Sequence, residues 1–296
     1  MSVLDELQQA ATTVVDRLGG ATVAIGRDQR GSGMVIAAGQ VLTCAHNLRD
    51  RTTEVTFADG GRAQATVLGL DADGDLAVLE VDTGAITPAA WAPADVPPQP
   101  GQVVFGVARR DGLRVTFGLI SGTERTFRGP RGRRIAGSIE HTAPLARGST
   151  GGALADAQGR VLAINTVRLG DRFALAQPAD AALQALVARL AAGESPSRRR
   201  LGVALAPAHI ARRLRRSVGL PERDGLLVRG VEDGSPAQAA GIEAGDLLVA
   251  AGGRNLATAD DLFEVLEALT GDAGLRLTVV RGSDERDVEI AFSTES

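Results

Sequence analysis

Several residue types are scarce or missing in this 296-residue chain, and each absence limits what it can be. There is one cysteine, Cys44, so no internal disulfide can form. The 3 histidines are too few and too scattered to predict a metal site, and we expect no metal and no cofactor. Lysine is absent, so arginine carries all the positive charge, and the net charge of −4 does not predict a nucleic-acid partner.

Long apolar runs are also missing, and none approaches the roughly 20 residues that span a bilayer. The first seven residues, MSVLDEL, are acidic where a secretory signal needs a basic start. Taken literally, this pattern predicts a cytoplasmic protein without a membrane span. A leader removed before residue 1 would instead allow an extracytoplasmic location, so both interpretations stay open.

What is present suits two globular domains, since 44% of the residues are hydrophobic and 23% are charged. A polar stretch at 192–200, A-G-E-S-P-S-R-R-R, predicts a linker between them. We therefore expect an N-terminal helix at 1–20, a first domain at 21–191, the linker, and a second domain at 201–296.

The N-terminal segment carries the signals of a helix. Ser2 is a candidate N-cap, Asp5 lies three residues further on, and Gly19-Gly20 ends the pattern. One face is apolar at helical spacing, from Val3, Leu7, Ala10, Val14 and Leu18. This helix is expected either to pack on the first domain or to contact another subunit.

From residue 21 the hydrophobic period changes to two, which is typical of strands. Short runs punctuated by Gly, Asp and Pro occur at 21–26, 33–36, 41–44, 54–57, 63–70, 76–81, 103–108 and 114–121. Regularly spaced short strands predict an all-β barrel or sandwich. A helix at 179–191 is expected to close the domain.

One glycine-rich turn, R-G-S-T-G-G-A-L at 147–154, carries the chemistry. Glycines let a backbone approach a ligand closely, and two amides pointing into one hole can stabilise an oxyanion. Upstream, T-C-A-H-N contains His46, and D-G-D-L-A-V-L places Asp75 at the head of a strand. A histidine, an aspartate and then a hydroxyl is the chain order of a chymotrypsin-type triad.

These segments resemble those of the HtrA/DegP trypsin-like serine proteases, which carry T-A-A-H, D-L-A-V-L and G-N-S-G-G-P-L. The resemblance implies a mainly β fold: a chymotrypsin-like double β-barrel, with six strands in each barrel and the active site between them. It assigns His46 as general base and Asp75 as the acid that orients it. It places Thr150 at the nucleophile position and gives the oxyanion hole to the amides of Gly148 and Thr150.

The nucleophile position departs from the family pattern, because Thr150 stands where the family has serine and Ser149 where it has asparagine. Threonine keeps the hydroxyl but adds a methyl group that stiffens χ1. Two hypotheses stay open. The chain is an ATP-independent endopeptidase acting on unfolded or damaged proteins, or it is a non-catalytic, chaperone-like binder of polypeptides (a pseudoprotease or an inactivated form).

The same resemblance assigns the specificity pocket to Phe173, Ala174 and Leu175, which implies small or aliphatic residues before the scissile bond. We expect His141, shortly before the glycine-rich turn, to be structural or pocket-lining. The basic segment 126–134 is expected to be either a solvated hairpin tip or a regulatory loop.

Beyond the linker, G-S-P-A-Q-A-A-G-I-E-A-G-D at 234–246 resembles the PDZ domains of bacterial proteases. PDZ domains bind peptide C-termini by adding them as a strand to a sheet edge. The resemblance assigns the carboxylate-binding loop and the side-chain pocket to Leu201, Gly202, Val203, Leu262 and Leu266. Implied partners are unfolded polypeptides, peptide C-termini and, by family resemblance, two further copies in a trimer. A third hypothesis makes the PDZ domain the main functional part and the barrels a scaffold.

Overall fold

The computed structural model describes residues 2–129, 134–170, 172–196, 199–269 and 273–292. The chain divides into two compact units, Met1–Pro196 and Ser197–Ser296. The division falls inside the stretch 192–200 that the sequence predicts as a linker, while the exact domain bounds stay a prediction.

The predicted N-terminal helix is confirmed as α1, Val3–Leu18. Ser2 caps it, and Ser2 and Asp5 form a reciprocal capping box that satisfies two backbone donors at the helix start. The buried Arg109 ties the end of this helix to the domain. Its Nε donates to the Thr22 carbonyl at 2.6 Å, and its Nη2 donates to the Gly19 carbonyl at 2.7 Å.

The first six strands close into a barrel in the order β1-β2-β3-β6-β5-β4. They are β1 Thr22–Ile25, β2 Gly31–Ala37, β3 Gln40–Thr43, β4 Thr52–Thr56, β5 Arg62–Asp71 and β6 Leu76–Glu80. A single 3-10 turn, Ala45–Asn47, follows β3. The interior is apolar, with fully buried side chains that include Ile25, Met34, Leu42, Leu76 and Leu79.

The next six strands close into a second barrel in the order β10-β11-β12-β9-β8-β7. They are β7 Val103–Arg109, β8 Leu113–Arg128, β9 Arg134–His141, β10 Ala153–Ala155, β11 Val161–Leu169 and β12 Phe173–Pro178. Two closed six-stranded barrels confirm the chymotrypsin-like fold. Residues 130–133 of the basic segment 126–134 lie outside the described residues.

Helix α2, Ala181–Ala191, ends the first unit and confirms the predicted closing helix. The Asp180 side chain caps it by accepting from the Leu183 amide. Its apolar face, from Leu183, Val187 and Leu190, joins the core of the first barrel.

The second unit is built around one sheet of order β13-β14-β15-β17-β18, with β16 paired to β15. Its elements are β13 Val203–Ala206, α3 Ala208–Ser217, β14 Leu226–Val231, α4 Pro236–Ala239, β15 Leu247–Ala251, β16 Arg254–Asn255, α5 Ala259–Ala268, β17 Leu275–Arg281 and β18 Asp284–Ile290. Thr258 and Asp261 form a reciprocal capping box at the start of α5. Within the described ranges, no helix has the length and apolar character that a membrane crossing requires.

Helix α3 was not predicted. Its buried face carries Ala211 and Arg215, and the Arg215 guanidinium donates to the carbonyls of Pro221 and Gly282. An arginine counts as a solvated residue in a hydrophobic pattern, so this face does not stand out in the sequence.

Candidate active site

Three predicted side chains meet where the two barrels face each other. His46 lies on the 3-10 turn after β3, Asp75 directly precedes β6, and Thr150 lies on the glycine-rich turn before β10. His46 Nδ1 is 2.7 Å from Asp75 Oδ2, and His46 Nε2 is 3.0 Å from Thr150 Oγ1. The Asp75 side chain is 1% exposed and that of His46 is 32% exposed, so the acid is buried and the imidazole is accessible.

The backbone of Asp75 is held in an unusual conformation. Its φ of 60° lies in the left-handed region, which non-glycine residues adopt mainly where the surroundings enforce it. Its Oδ1 accepts from the His46 amide at 2.9 Å, and its carbonyl accepts from the Ala45 amide at 3.1 Å. A carboxylate only accepts, so Nδ1 of His46 carries the ring proton and Nε2 presents a lone pair to Thr150.

The glycine-rich turn leaves two backbone amides free. Among the described residues, neither the Gly148 amide nor the Thr150 amide donates to a protein acceptor. The Ser149 amide between them donates to the Ala146 carbonyl, so it points elsewhere. Two free amides beside a hydroxyl are the donor pair that an oxyanion hole requires.

Strand β2 of the first barrel anchors this turn. The Ser32 hydroxyl donates to the Gly148 carbonyl at 2.6 Å, and the Ser32 amide donates to the Thr150 carbonyl at 2.9 Å. Gly151 has a φ of 84°, and a Cβ there would lie 2.3 Å from the Ser32 carbonyl oxygen. The turn therefore fits against β2 only because residue 151 is a glycine.

Asn47 belongs to the site but was missed in the sequence. It is 2% exposed and follows His46 directly. Its Nδ2 donates to the Thr150 carbonyl at 2.8 Å, and its Oδ1 accepts from the Thr150 hydroxyl at 3.1 Å. A polar residue beside the histidine was the one available signal, but its partner is 103 residues away.

Cys44, His46 and Asp75 are the one group of potential metal ligands within the described residues, with ligand atoms inside 4.8 Å of one another. Burial raises the pKa of the Cys44 thiol well above its usual value, while metals bind the thiolate. The imidazole and carboxylate are already hydrogen-bonded to each other. This chemistry fits a catalytic triad better than a metal site.

A cleft of about 330 Å³ opens beside His46 on the first barrel. Its walls combine the apolar side chains of Leu48, Val67 and Leu70 with the charged side chains of Arg49 and Asp50. A polypeptide bound across His46 therefore meets both apolar and charged surface at this point.

The three predicted pocket residues do not share one face. They are consecutive on β12, so Ala174 points to the opposite side from Phe173 and Leu175. Phe173 is 41% exposed at the hairpin tip, whereas Ala174 and Leu175 are buried. A single pocket wall therefore cannot be made from all three side chains.

His141 is fully buried and pairs across the strands with Ala174. Its Nε2 is 3.1 Å from Asn165 Oδ1, and Asn165 Nδ2 donates to the Ala153 carbonyl at 2.8 Å. This arrangement places the ring proton on Nε2 and leaves Nδ1 without a protein partner among the described residues. Burial lowers the pKa of His141 to about 4, so the ring is neutral at pH 7.

In the second unit, the predicted carboxylate-binding loop lies at the start of the edge strand β13. The carbonyls of Leu201 and Gly202 accept from the amides of Ala237 and Glu232. The amides of Leu201 and Gly202 donate to no residue that the structure describes. Gly202 has a φ of 74°, and a Cβ there would lie 2.3 Å from Cβ of Ser235, so this position requires glycine.

The remaining predicted PDZ residues lie in two environments. Val203 is half-buried at the start of β13. Leu262 and Leu266 on α5 are 2% and 8% exposed, and both pack in the core of the unit. In this structure both side chains lie in the core, and little of their surface is open.

Two domain families match the chain. Residues 31–164 match the trypsin-like peptidase domain, and residues 200–292 match the PDZ domain, a peptide-binding module.

Curated relatives match along most of the chain. It is 32% identical over 267 residues to the putative serine protease HhoB of Synechocystis sp., covering 85% of this chain and 63% of that protein. It is 32% identical to HhoA of the same organism, covering 86% and 68%. It is 29% identical to a probable periplasmic serine endoprotease, DegP-like, of Pseudomonas fluorescens, covering 88% and 55%. The chain thus spans about half to two thirds of the length of these relatives.

Solved structures share the fold. The HtrA-type protease AlgW with decapeptide superposes with a TM-score of 0.66 at 22% identity, covering 95% of this chain and 97% of that one. The serine endoprotease from Yersinia pestis gives a TM-score of 0.64 at 23% identity, covering 95% and 96%.

Proposed function

Because this chain belongs to the HtrA/DegP family of trypsin-fold serine proteases, we propose that it is an ATP-independent endopeptidase with Thr150 as its nucleophile. One observation carries the proposal: the Thr150 hydroxyl lies 3.0 Å from Nε2 of His46, whose Nδ1 lies 2.7 Å from Asp75. A nucleophile, a base within hydrogen-bond reach and a group that orients the base are the parts that covalent catalysis needs.

The geometry supports acyl transfer in two steps. Thr150 Oγ1 attacks the scissile carbonyl carbon while His46 Nε2 takes the hydroxyl proton, and the free amides of Gly148 and Thr150 bind the oxyanion. His46 then gives this proton to the leaving amine, which produces an ester on Thr150. Water attacks the ester with His46 as base again, releasing the new C-terminus and restoring the hydroxyl.

The substitution at residue 150 favours a second candidate function. The Cβ methyl of Thr150 needs room beside His46 and the substrate carbonyl, where a serine would have only hydrogen. A site with the same groove and no turnover would act as a polypeptide binder of the chaperone type.

Cleavage of unfolded casein by the full chain and by Thr150→Ser and Thr150→Ala separates these candidates. For an enzyme, we expect the parent to cut much faster than Thr150→Ala, because loss of a triad nucleophile lowers kcat by up to roughly a millionfold. Mass spectrometry should also place a fluorophosphonate label on Thr150. Cleavage by the serine variant alone would exclude Thr150 as a nucleophile and favour the polypeptide binder.

Residual hydrolysis needs a matched control, because an oxyanion hole and binding alone leave about 10³–10⁴-fold acceleration over water. Ser149→Ala removes the neighbouring hydroxyl and leaves the free amides in place. It should cut like the parent if Thr150 is the nucleophile.

Two regions are proposed to select substrates. One is strand β12, where Phe173, Ala174 and Leu175 are all apolar and the half-exposed Phe173 offers surface to a small or aliphatic residue before the scissile bond. In the PDZ unit, the free amides at Leu201 and Gly202 suit a terminal carboxylate, with Val203, Leu262 and Leu266 beside the added strand. A peptide ending in a free carboxylate should bind more tightly than its amidated form, which calorimetry can measure.

We also propose an extracytoplasmic location and a trimer. Several relatives are named as periplasmic, and the cytoplasmic location expected from the first residues finds no support among them. Val3 and Leu4 on α1 are 81% and 75% exposed and are candidate contacts between subunits. Cell fractionation and sedimentation equilibrium test these two proposals separately.

A further inference from the structure

The Asn47 side chain holds residue 150 at two points. Its Nδ2 donates to the Thr150 carbonyl at 2.8 Å and to Thr43 Oγ1 at 3.0 Å. A carbonyl oxygen only accepts, so the amide nitrogen must face it, and this fixes Oδ1 toward the Thr150 hydroxyl at 3.1 Å. The single hydroxyl proton of Thr150 therefore lies between two acceptors, Asn47 Oδ1 and His46 Nε2.

A threonine needs such an arrangement because its Cβ carries both a hydroxyl and a methyl group. A rotation of about 120° about χ1 exchanges one for the other. With the methyl group in place of the hydroxyl, Asn47 Oδ1 would lose the one hydrogen bond that it makes to a described residue. Asn47 is 2% exposed, and an unpaired buried acceptor is costly, so the amide selects the hydroxyl rotamer.

Strand β2, which begins at Gly31, makes room for the Asn47 amide. A Cβ at Gly31 would lie 2.1 Å from Asn47 Cγ. The φ of Gly31 is outside the left-handed region, so the backbone conformation does not itself call for glycine. The space is needed by the side chain of Asn47, which is an observation independent of the hydrogen bonds.

We propose that Asn47 is a positioning residue that turns the hydroxyl of Thr150, and not its methyl group, toward His46. The proposal rests on the proposed function, since this orientation matters for catalysis only if Thr150 is the nucleophile. We call the two hydrogen bonds between the Asn47 side chain and residue 150 the clamp. Its effect on the Thr150 rotamer can be measured without turnover.

The kinetic test uses Asn47→Leu, which keeps the approximate shape of the side chain and removes its hydrogen bonds. We expect kcat on a casein-derived peptide to fall about tenfold to a hundredfold, because without the Asn47 acceptor the hydroxyl of Thr150 is no longer held toward His46. KM should stay within about twofold, because Asn47 is buried beneath residue 150. Rates are divided by the concentration of sites that fluorophosphonate labels, so that unfolded protein does not lower the measured kcat.

The matched control is Thr22→Val. The Thr22 hydroxyl is buried and donates to the Leu18 carbonyl at 2.7 Å, away from the triad. Losing this bond should destabilise the fold and leave kcat per titrated site unchanged. An equal kcat for Asn47→Leu and the parent overturns the proposal.

An activity-independent test measures χ1 of Thr150 by NMR. Three-bond couplings from a labelled Thr150 methyl carbon to the backbone nitrogen and carbonyl report the rotamer, and Thr150→Ser identifies the signal. We expect one rotamer in the parent and averaged couplings in Asn47→Leu. One rotamer in a parent that cuts nothing, with averaged couplings in Asn47→Leu, would support the clamp while the proposed function fails. Averaged couplings in the parent would overturn the clamp. A single rotamer in Asn47→Leu would overturn the clamp even if the parent cuts.

If Asn47→Leu does not fold, Gly31→Ala tests the same clamp through the neighbouring strand. The new methyl group displaces the Asn47 amide without changing residue 47, and it should produce the same averaged couplings. Parent-like couplings in Gly31→Ala would count against the proposal.

Discussion

The two barrels of the first unit have the same strand number but different interiors. The largest apolar cluster fills the first barrel, and helices from both ends of the unit add Val14, Leu18 and Leu183 to it. Strands of the second barrel contribute to the same cluster, through Phe105, Val107 and Ile164 among others. The second barrel has in addition a separate, smaller cluster of its own, made by Ala92, Val104, Ile120, Ile139, Leu154, Leu162, Ala163 and Ala176. Its strand β9 carries both buried side-chain atoms that lack a partner among the described residues, Ser138 Oγ and His141 Nδ1.

The two barrels also contribute different parts of the proposed site. The first barrel supplies His46, Asp75 and Asn47, and catalysis requires these to be held rigidly. The second supplies Thr150, and it buries His141, which is neutral at pH 7. Changes in the first barrel should therefore act mainly on rate, and changes in the interior of the second mainly on stability and its pH dependence.

The largest expected effect is that of Asp75→Asn in the first barrel. An asparagine amide can donate to Nδ1, which shifts the ring proton to Nε2 and removes the lone pair that accepts from Thr150. We expect kcat/KM on casein peptide to fall by about 10⁴-fold. Asp156→Asn is a matched control, since Asp156 is also buried but binds Arg160 away from the site. A loss below about tenfold for Asp75→Asn would contradict the assigned triad.

The contact between the barrels is tested by Gly151→Ala. A Cβ there meets the Ser32 carbonyl at 2.3 Å in addition to the cost of its left-handed φ of 84°. We expect a loss of about 2–4 kcal/mol in the free energy of unfolding, measured in urea. Gly60 has a φ of 86° with open space around it, so Gly60→Ala carries the backbone cost alone. Equal losses in the two variants would show that the barrels separate easily at this turn.

These contacts mark what the sequence could and could not predict. Capping boxes and period-two runs are local, so α1 and strands β1 to β7 were predicted close to their observed bounds. Strand β8 extends to Arg128, beyond the predicted end at residue 121, because its outer half is polar and pairs with β9 in the hairpin. The role of Asn47 depends on a partner 103 residues away, and no spacing within the sequence indicates it.

The polar interior of the second barrel is tested by His141→Gln, which stays neutral at every pH. Burial lowers the pKa of His141 to about 4 from an unfolded value near 6.5. Between these values the unfolded chain binds the extra proton, so the native state loses stability as the pH falls from 6.5 toward 4. On moving from pH 7 to pH 4.5, the parent should lose about 2–3 kcal/mol more than the variant.

Urea unfolding at the two pH values measures this difference, and the carboxylates that titrate in both proteins cancel in the comparison. His209→Gln, which changes an exposed histidine of the second unit, should behave like the parent. If His141→Gln and the parent lose the same free energy, His141 is charged or accessible to water in the native protein.

The smallest effect concerns the two helices that pack on the first barrel. Asp180 accepts from the amide of the buried Leu183 at 2.8 Å, so Asp180→Ala should cost the full value of a cap, about 1 kcal/mol of unfolding free energy. Ser2 caps a helix start whose first residues are exposed, so the first turn of α1 can fray and Ser2→Ala should cost less than about 0.5 kcal/mol. Urea midpoints at several protein concentrations compare the two variants. A full cost for Ser2→Ala that grows with concentration would mean that another subunit covers the start of α1, as the proposed trimer requires.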